Sequence, residues 1–453
     1  LVGSEMCIRD RDWARPELSR DQLDYAAEDV EHLLRIKDVL RAELKRDGLL
    51  QTALTEFGCV TPEACIELNG FPLDADKWTQ LHHENVKNRD LAATKLYEVF
   101  PDPTGQIMLP GFAPAWKLSS PQQLLKSLHL KGINVPDTNE TTLAMVADKW
   151  PELELIFDFR QYDKNIGSFG MEYLKYIHPL TGRVHARFWG LLASGRYSCA
   201  DPNLQQVPRD PRFRDCFRAV KGRRLVGADY SGIEMRIVAE IANDPAMIQV
   251  FIDGACAHYA TASIIMDKPI DQVTKAERQN AKPVNFGLIY GMMPPKLIIY
   301  SKANYGVTLS PKEAQIYWER FFAKYDGIRR WHDRVSRDGK RSGESRSIGG
   351  RVRYLDPNKA WNEFKNNPVQ STGADALKNA MRNVHETIKK HSDIKMVHIV
   401  HDEIILECPN EPEAIDFCKK TLEEGMKAGM ERYLRKVPVQ VDPSDGQSWA
   451  ELK

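Results

Sequence analysis

No run of about 18 or more apolar residues occurs anywhere in the 453-residue chain, so no membrane-spanning helix is expected. The eight cysteines are scattered without a CxxC pair, a usage that fits a reducing cytosol better than a disulfide framework or a zinc module. Net charge is missing as well: 63 Lys and Arg balance 63 Asp and Glu, which by itself argues against a polyanionic partner. The opening LVGSEMCIRDR has no n-region and h-region, so it is not a signal peptide. EMCIRDR reads as a library adapter translated in frame; residues 1–12 are set aside, and the natural protein is expected to begin further upstream.

What is present is ordinary in bulk and uneven in detail. A hydrophobic share of 42% with 28% charged residues suits a globular chain, and the length accommodates two to four domains. Charge is distributed unevenly. Between Thr181 and Arg224 ten basic residues face three acids, and between Gly327 and Arg353 nine face three, local excesses large enough to attract a phosphate backbone.

LVGADYSGIEMRIVAEIAND, residues 225–244, anchors the reading. Leu225, Val226 and Ala228 form a strand-type run, Asp229 stands at its end, and Gly232 opens a helix with Ile233, Ile237 and Ile241 on one face. Far downstream, KMVHIVHDEIILEC (395–408) reads as a β-hairpin whose tip holds His401, Asp402 and Glu403. Two acids between hydrophobic strands are poor core material. If the tip lies beside the strand ending at Asp229, Asp229 and Asp402 share divalent cations, and hard oxygen ligands suit Mg²⁺. An ordinary helix cap and a solvated turn are the plainer alternatives, each respectable when taken singly.

In QVTKAERQNAKPVNFGLIYGM (272–292), Thr274 and Glu277 form a capping box. Arg278, Lys282, Phe286 and Tyr290 then recur every fourth residue on one helical face. Such a face can grip phosphates and stack a base or sugar, with His258 as a further donor. Pro283 predicts a kink. Arg196, Asn203, Gln205 and Gln206 lie in a turn-rich segment whose amides can reach minor-groove acceptors, or satisfy one another through Asx turns.

Along the rest of the chain the spacing predicts helices over 18–44, 74–100, 122–130, 140–149 and 153–176, with a Pro- and Gly-rich loop over 101–115. Another helix starts at Asn366 and Gln370, and VDPSDGQSWAELK forms a last strand and turn with Trp449 packed.

Together, ASGRYSCADPNLQQVP, DYSGIEMR, RQNAKPVNFGLIYG, PVQSTGADALK and VHDE resemble the family A DNA polymerases, in that family's order, over about residues 13–453. The resemblance implies a multi-domain α+β right-hand fold with an antiparallel-sheet palm, helical fingers and a helical thumb. The implied boundaries are a 3′–5′ exonuclease remnant at 13–52, thumb at 53–165, palm at 166–244, fingers at 245–355 and the rest of the palm at 356–453.

It implies Asp229, Asp402 and the Tyr230 carbonyl as ligands of two Mg²⁺ ions, and Glu403 as an auxiliary acid. Arg278, Lys282, His258, Phe286 and Tyr290 would take the deoxynucleoside triphosphate, with Lys282 donating a proton to pyrophosphate and Glu234 as steric gate against a 2′-hydroxyl. Arg196, Asn203, Gln205, Asn366, Gln370 and His401 would lie along primer-template DNA. Phe286, where some members carry Tyr, implies discrimination against dideoxynucleotides. The implied protein is a cytoplasmic monomer, bacterial or phage-borne, acting in replication or repair without a membrane partner.

Two departures stand out: Gly232 replaces the family's usual Gln, and Asn362 replaces an Arg frequent in bacterial members. DYAAEDV resembles the last exonuclease motif through Tyr25 and Asp29, but the upstream acid motifs are absent, so no proofreading is expected. A single-subunit RNA polymerase, disfavoured by Glu234, and a catalytically silent DNA-binding relative are the rival readings.

Overall fold

The computed structural model describes residues 12–105 and 116–452, so the adapter-like start and most of the Pro-rich loop lie outside the described residues. The chain divides into two compact units, one up to Phe57 and the other from Gly58 onward. In the first, Ser19 caps the helix Arg20–Glu31 in a capping box with Gln22. The single helix expected over 18–44 is two, because the ladder lapses at His32 before Leu33–Arg46 begins.

The second unit is built on a four-stranded antiparallel sheet of β1 (Arg223–Tyr230), β2 (Lys395–Val400), β3 (Glu403–Pro409) and β4 (Val441–Gly446), in the order β4-β1-β3-β2. Leu225, Val226, Ile404, Ile405 and Leu406 are fully buried, so the sheet is covered on both faces and its central strands read as continuous apolar runs.

The helices that position the site and its surroundings are α1 (Ala75–Val99), α2 (Glu154–Phe169), α3 (Ile233–Ala242), α4 (Ala257–Met266), α5 (Lys275–Ile289), α6 (Pro294–Tyr305), α7 (Asp326–Ser342), α8 (Glu363–Ile388) and α9 (Pro412–Glu431). α9 packs on the sheet, and α8 packs on α9. They approach so closely that a Cβ on Gly429 would lie 2.7 Å from the Ala380 amide nitrogen.

α1 and α2 form an arm joined by a buried Asn165–Asn85 hydrogen bond of 3.1 Å. The arm has its own core of Leu96, Phe100, Trp116, Leu128 and Ile156, separate from the core around the sheet. The helix expected over 153–176 ends at Phe169, and 171–176 continues as a 3₁₀ helix, because a Cβ-free Gly170 turns the backbone out of line. The helix expected over 140–149 stops at Ala144. Pro283 does not break α5, whose assigned span runs through it. No helix among the described residues is long and apolar enough to cross a membrane.

Candidate active site

The centre of the site is set by strand pairing. Asp229 is the penultimate residue of β1, since pairing continues to Tyr230 opposite Val441. β1 also pairs with β3, Ala228 opposite Ile404, so the end of β1 runs alongside the β2–β3 turn. That turn is two residues long, His401 and Asp402, with His401 in the left-handed region at φ 54°. Glu403, expected in the turn, instead begins β3 opposite Val400. Its buried carboxylate accepts the Trp449 indole N–H at 3.3 Å.

The Asp402 carboxyl is pushed up to about 7, first by burial and then by the Asp229 charge, with Glu234 and Glu403 adding to it. Acids crowded out of water in this way call for a cationic partner. Among the described residues no three His, Cys, Asp or Glu side chains converge on a metal position. The donors that could be offered to a cation here are the Asp229 and Asp402 carboxylates together with main-chain oxygens. The Tyr230 ring is anchored in the core, its hydroxyl donating to the Met426 carbonyl at 2.7 Å, so Tyr230 offers the cleft its main chain. Such a sparse, hard-oxygen set leaves positions for water and phosphate oxygens, which fits Mg²⁺.

Above the acids opens a cleft of about 480 Å³ lined by Arg196, Tyr230, Glu234, Phe286, Tyr290, Gln370, His401 and Asp402, among others. All of these were singled out from sequence, and they converge from β1, α3, α5, α8, the β2–β3 turn and a loop; Tyr300, Tyr305 and Arg209 complete the wall. Arg196 reaches across to Glu234, Nη2 to Oε1 3.2 Å. The Tyr290 hydroxyl lies buried beside Glu234; burial first and that carboxylate second push its pKa up. A small adjoining pocket holds Gln205 with Arg196 and His401. Gly232 adopts φ 62°, a left-handed turn that lets the chain pass from β1 into α3 without a strained side chain.

Arg278, Lys282, Phe286 and Tyr290 form the half-buried stripe of α5, while Ala281, Val284, Asn285 and Leu288 face the core. The Arg278 guanidinium lies over the Tyr259 ring at 5.4 Å, and Lys282 makes no ion pair with a described residue. His258, on α4, sits 5.7 Å from the Phe286 ring. Burial first, then Arg278 and Lys282, lower its pKa to about 4. The Asn285 amide donates to His258 Nδ1 at 2.8 Å, and the Thr261 hydroxyl donates to the Asn285 carbonyl at 2.7 Å. With the Asn285 amide in this orientation, a neutral His258 ring carries its proton on Nε2. Neither Asn285 nor Thr261 was marked by sequence, since each carries its meaning only through a partner on another helix.

Asn203 and Asn366 are not among the residues that line the cleft. The Asn203 side chain caps its own 3₁₀ turn by accepting from the Gln205 amide at 3.1 Å, the Asx-turn alternative. Asn366 lies inside α8, which begins at Glu363 and not at Asn366, and its carbonyl oxygen is buried without a partner among the described residues. A larger cleft of about 650 Å³, lined by Trp331, Arg346, Phe364 and Tyr433, contains none of the candidate catalytic, nucleotide-binding or metal-ligating residues.

An acidic hairpin and strand end, under a helix striped with cations and aromatics, define a nucleotidyltransferase of the palm type. The sequence profile of DNA polymerase family A matches residues 111–451. DNA polymerase I of Aquifex aeolicus (strain VF5) is 34% identical over an alignment of 481 residues, covering 99% of this chain and 79% of its own length. DNA polymerase I of Pseudomonas aeruginosa is 32% identical over 84% of this chain and 43% of its own. The thermostable DNA polymerase I of Thermus aquaticus is 33% identical over 70% of this chain and 38% of its own.

Against these last two the chain spans less than half of the relative's length. Among solved structures, the POL domain of Pol1 from M. smegmatis, in complex with DNA primer-template and dNTP, superposes with a TM-score of 0.81 at 28% identity, covering 93% of this chain and 74% of that one. The chain belongs to DNA polymerase family A, a family of DNA-directed DNA polymerases.

Proposed function

We propose that this chain extends a DNA primer on a template, adding deoxynucleotides to the 3′-hydroxyl. The observation that carries the reading is the single cleft shared by Asp402, Glu234, Phe286 and Tyr290, with Asp229 close enough to raise the Asp402 pKa. Asp229, Asp402 and the Tyr230 carbonyl would hold two Mg²⁺ ions. Bound there, they supply acidification of the primer hydroxyl and charge neutralisation on the triphosphate.

The chain's own groups do the rest. Arg278 leaves its Tyr259 stacking partner for the phosphates, and Lys282 stands ready to protonate departing pyrophosphate. His258, neutral and locked as an Nε2–H donor, hydrogen-bonds a phosphate oxygen without adding charge. Glu234, braced by Arg196, fills the space a ribose 2′-hydroxyl would need. Gln205, Gln370, Asn366, Asn203 and His401 line the path of the duplex.

On this reading residues 53–165 are the thumb, 166–244 and 356–453 the palm and 245–355 the fingers, and residues 13–52 are what remains of an exonuclease domain. The protein acts as a monomer on DNA in the cytoplasm, in replication or repair.

Primer extension with purified protein and Mg²⁺ tests this. Templated addition of deoxynucleotides is expected, with ribonucleotides added far more slowly and with Asp402→Ala inactive. Extension by Asp402→Ala at the wild-type rate would remove the assignment of the acids. Equal use of ribonucleotides would favour an RNA polymerase instead.

A further inference from the structure

Only Ser231 and Gly232 join the end of β1 to the start of α3, so their conformation sets where the Tyr230 main chain and the Glu234 side chain stand relative to each other. Gly232 cannot fix that turn by itself. It sits at φ 62° without a side chain, and the space where a Cβ would stand is open.

The turn is held by Arg236, one turn into α3. Its side chain leans back toward the helix start, as helical side chains do, and Nε donates to the Ser231 carbonyl at 2.7 Å. Through Nη1 the same guanidinium donates to the Pro438 carbonyl at 2.6 Å, and through Nη2 to Gln440 Oε1 at 3.1 Å. The Ser231 amide in turn donates to the Gln440 carbonyl at 3.0 Å. Gln440 Nε2 donates at 3.2 Å to Asp442, the residue directly opposite Asp229 in the β4 register. One helical turn further on, Glu240 accepts the Lys436 and Val437 amides at 2.9 and 3.1 Å, so α3 is strapped along the segment that leads into β4.

The surroundings of the guanidinium are otherwise apolar. Arg236 is 8% exposed, lies over the Phe251 ring at 4.5 Å, and pairs with no carboxylate among the described residues within ion-pair distance. Burial draws its pKa down, with Asp442 as the opposing influence. A buried cation is a costly way to join segments that apolar side chains could join by packing. What it adds is geometry, because a planar fork of donors meets its oxygens in one arrangement only.

We propose that Arg236 is a positioning residue for sugar selection. By clasping Ser231 to the segment before β4, it sets the turn so that Glu234 stands where a ribose 2′-hydroxyl would go. Positions 234 and 236 lie about 200° apart around a helix, so Arg236 works from behind α3 and is not among the residues lining the cleft. Arg196 holds Glu234 from the cleft side at 3.2 Å, and Arg236 holds the backbone that carries it.

The role assigned to Arg236 rests on the reading of Glu234 as the gate, so one measurement is made with nucleotides and one without. With nucleotides, the ratio of kcat/KM for deoxynucleotide over ribonucleotide is compared among wild type and variants. Arg236→Met is expected to lose about tenfold of that ratio, less than the roughly 100-fold of a full 1 Å misplacement. Arg236→Lys, which reaches one carbonyl without the fork, recovers part of it. Gln440→Ala leaves both carbonyl contacts of the guanidinium in place and loses about threefold, the scale of one hydrogen bond. In a Glu234→Ala background, Arg236→Met leaves the ratio unchanged, a non-additivity that general loosening of the fold would not produce.

Without nucleotide, metal or DNA, hydrogen exchange at the Ser231 amide is expected to quicken about tenfold in Arg236→Lys and Gln440→Ala, while the amides of α8 keep their wild-type rates. A ratio unchanged in Arg236→Met, or in Gln440→Ala should the first variant fail to fold, overturns the role. So does an equal further loss in the Glu234→Ala background, or exchange at Ser231 as slow as in wild type. A wild type that accepts both sugars equally removes the gate reading itself, and the sugar role of Arg236 falls with it.

Discussion

Burial and the Asp229 charge hold the Asp402 proton to about pH 7 in the metal-free protein, whereas the same carboxyl titrates near 3.9 in an unfolded chain. A carboxyl whose folded pKa is raised contributes stability that is fully present below about pH 4 and is lost as pH rises through about 7. Metal-free protein at pH 8 therefore holds an acid pair that works against folding. Asp402→Asn keeps the size and removes the charge. In the presence of a chelator at pH 8 it is expected to melt at a higher temperature than wild type, with an unfolding free energy larger by on the order of 2 kcal/mol once partial exposure is discounted. At the same time its turnover should fall by about 10³-fold or more, the scale of a lost metal-centred stabilisation. A melting temperature below wild type under those conditions would mean that Asp402 is held by compensating donors and not by the expectation of a cation.

At the scale of elements, α4 and α5 act as a pair. Thr261 and Asn285 are fully buried, and their hydrogen bonds orient a histidine that neither touches the sheet nor lies on the α5 stripe. Asn285→Leu keeps the volume and leaves His258 Nδ1 without its donor. The ring is then free to rotate or to carry its proton on the wrong nitrogen. KM for the incoming nucleotide is expected to rise about tenfold with kcat nearly unchanged, for a net loss of one oriented hydrogen bond to a charged group. Steady-state kinetics decide, and an unchanged KM would show that His258 takes no part in nucleotide binding.

This pair also marks where sequence reasoning stops. The four-residue period of Arg278, Lys282, Phe286 and Tyr290 announces a stripe because periodicity is a property of one helix. The hairpin turn at His401 and Asp402 is equally visible, because alternating apolar runs end there. A hydrogen bond from Asn285 to a histidine 27 residues upstream has no local period and leaves no trace. The breaks at His32 and Gly170 and the early end of the helix at Ala144 were missed for a related reason: the apolar spacing continues across them while the backbone does not. Pro283 was overestimated, because the core packed around Ala281, Val284 and Leu288 carries α5 through one absent hydrogen bond.

At the scale of the whole molecule the two basic stretches need recounting. Sequence places nineteen Lys and Arg in 181–224 and 327–353, but the fold spends many of them internally. Arg183 and Arg223 pair with the buried Glu407, Arg196 with Glu234, Arg224 with Asp445 and Arg351 with Asp375, acids that lie far away in sequence and so escaped a local charge count. Others, such as Arg212 and Arg346, are held by acids two residues away.

Among the described residues, Arg209, Arg214, Lys221, Arg329, Arg334, Arg337, Lys340 and Arg353 are outside any such pair, and Arg214 and Arg329 lean on Trp449 and Trp318. Each phosphate neutralised steepens the dependence of log K on log salt by about 0.9, so the eight cations of these two stretches contribute a slope of up to about −7. A slope between about −3 and −7 is expected for primer-template binding, measured by anisotropy from about 50 to 300 mM salt. Neutral net charge does not flatten it, because the acids that cancel the sum are already committed to other arginines or lie on other faces. A slope shallower than about −2 would mean that the free cations do not meet the duplex, and one steeper than about −10 that the internal pairs open when DNA binds.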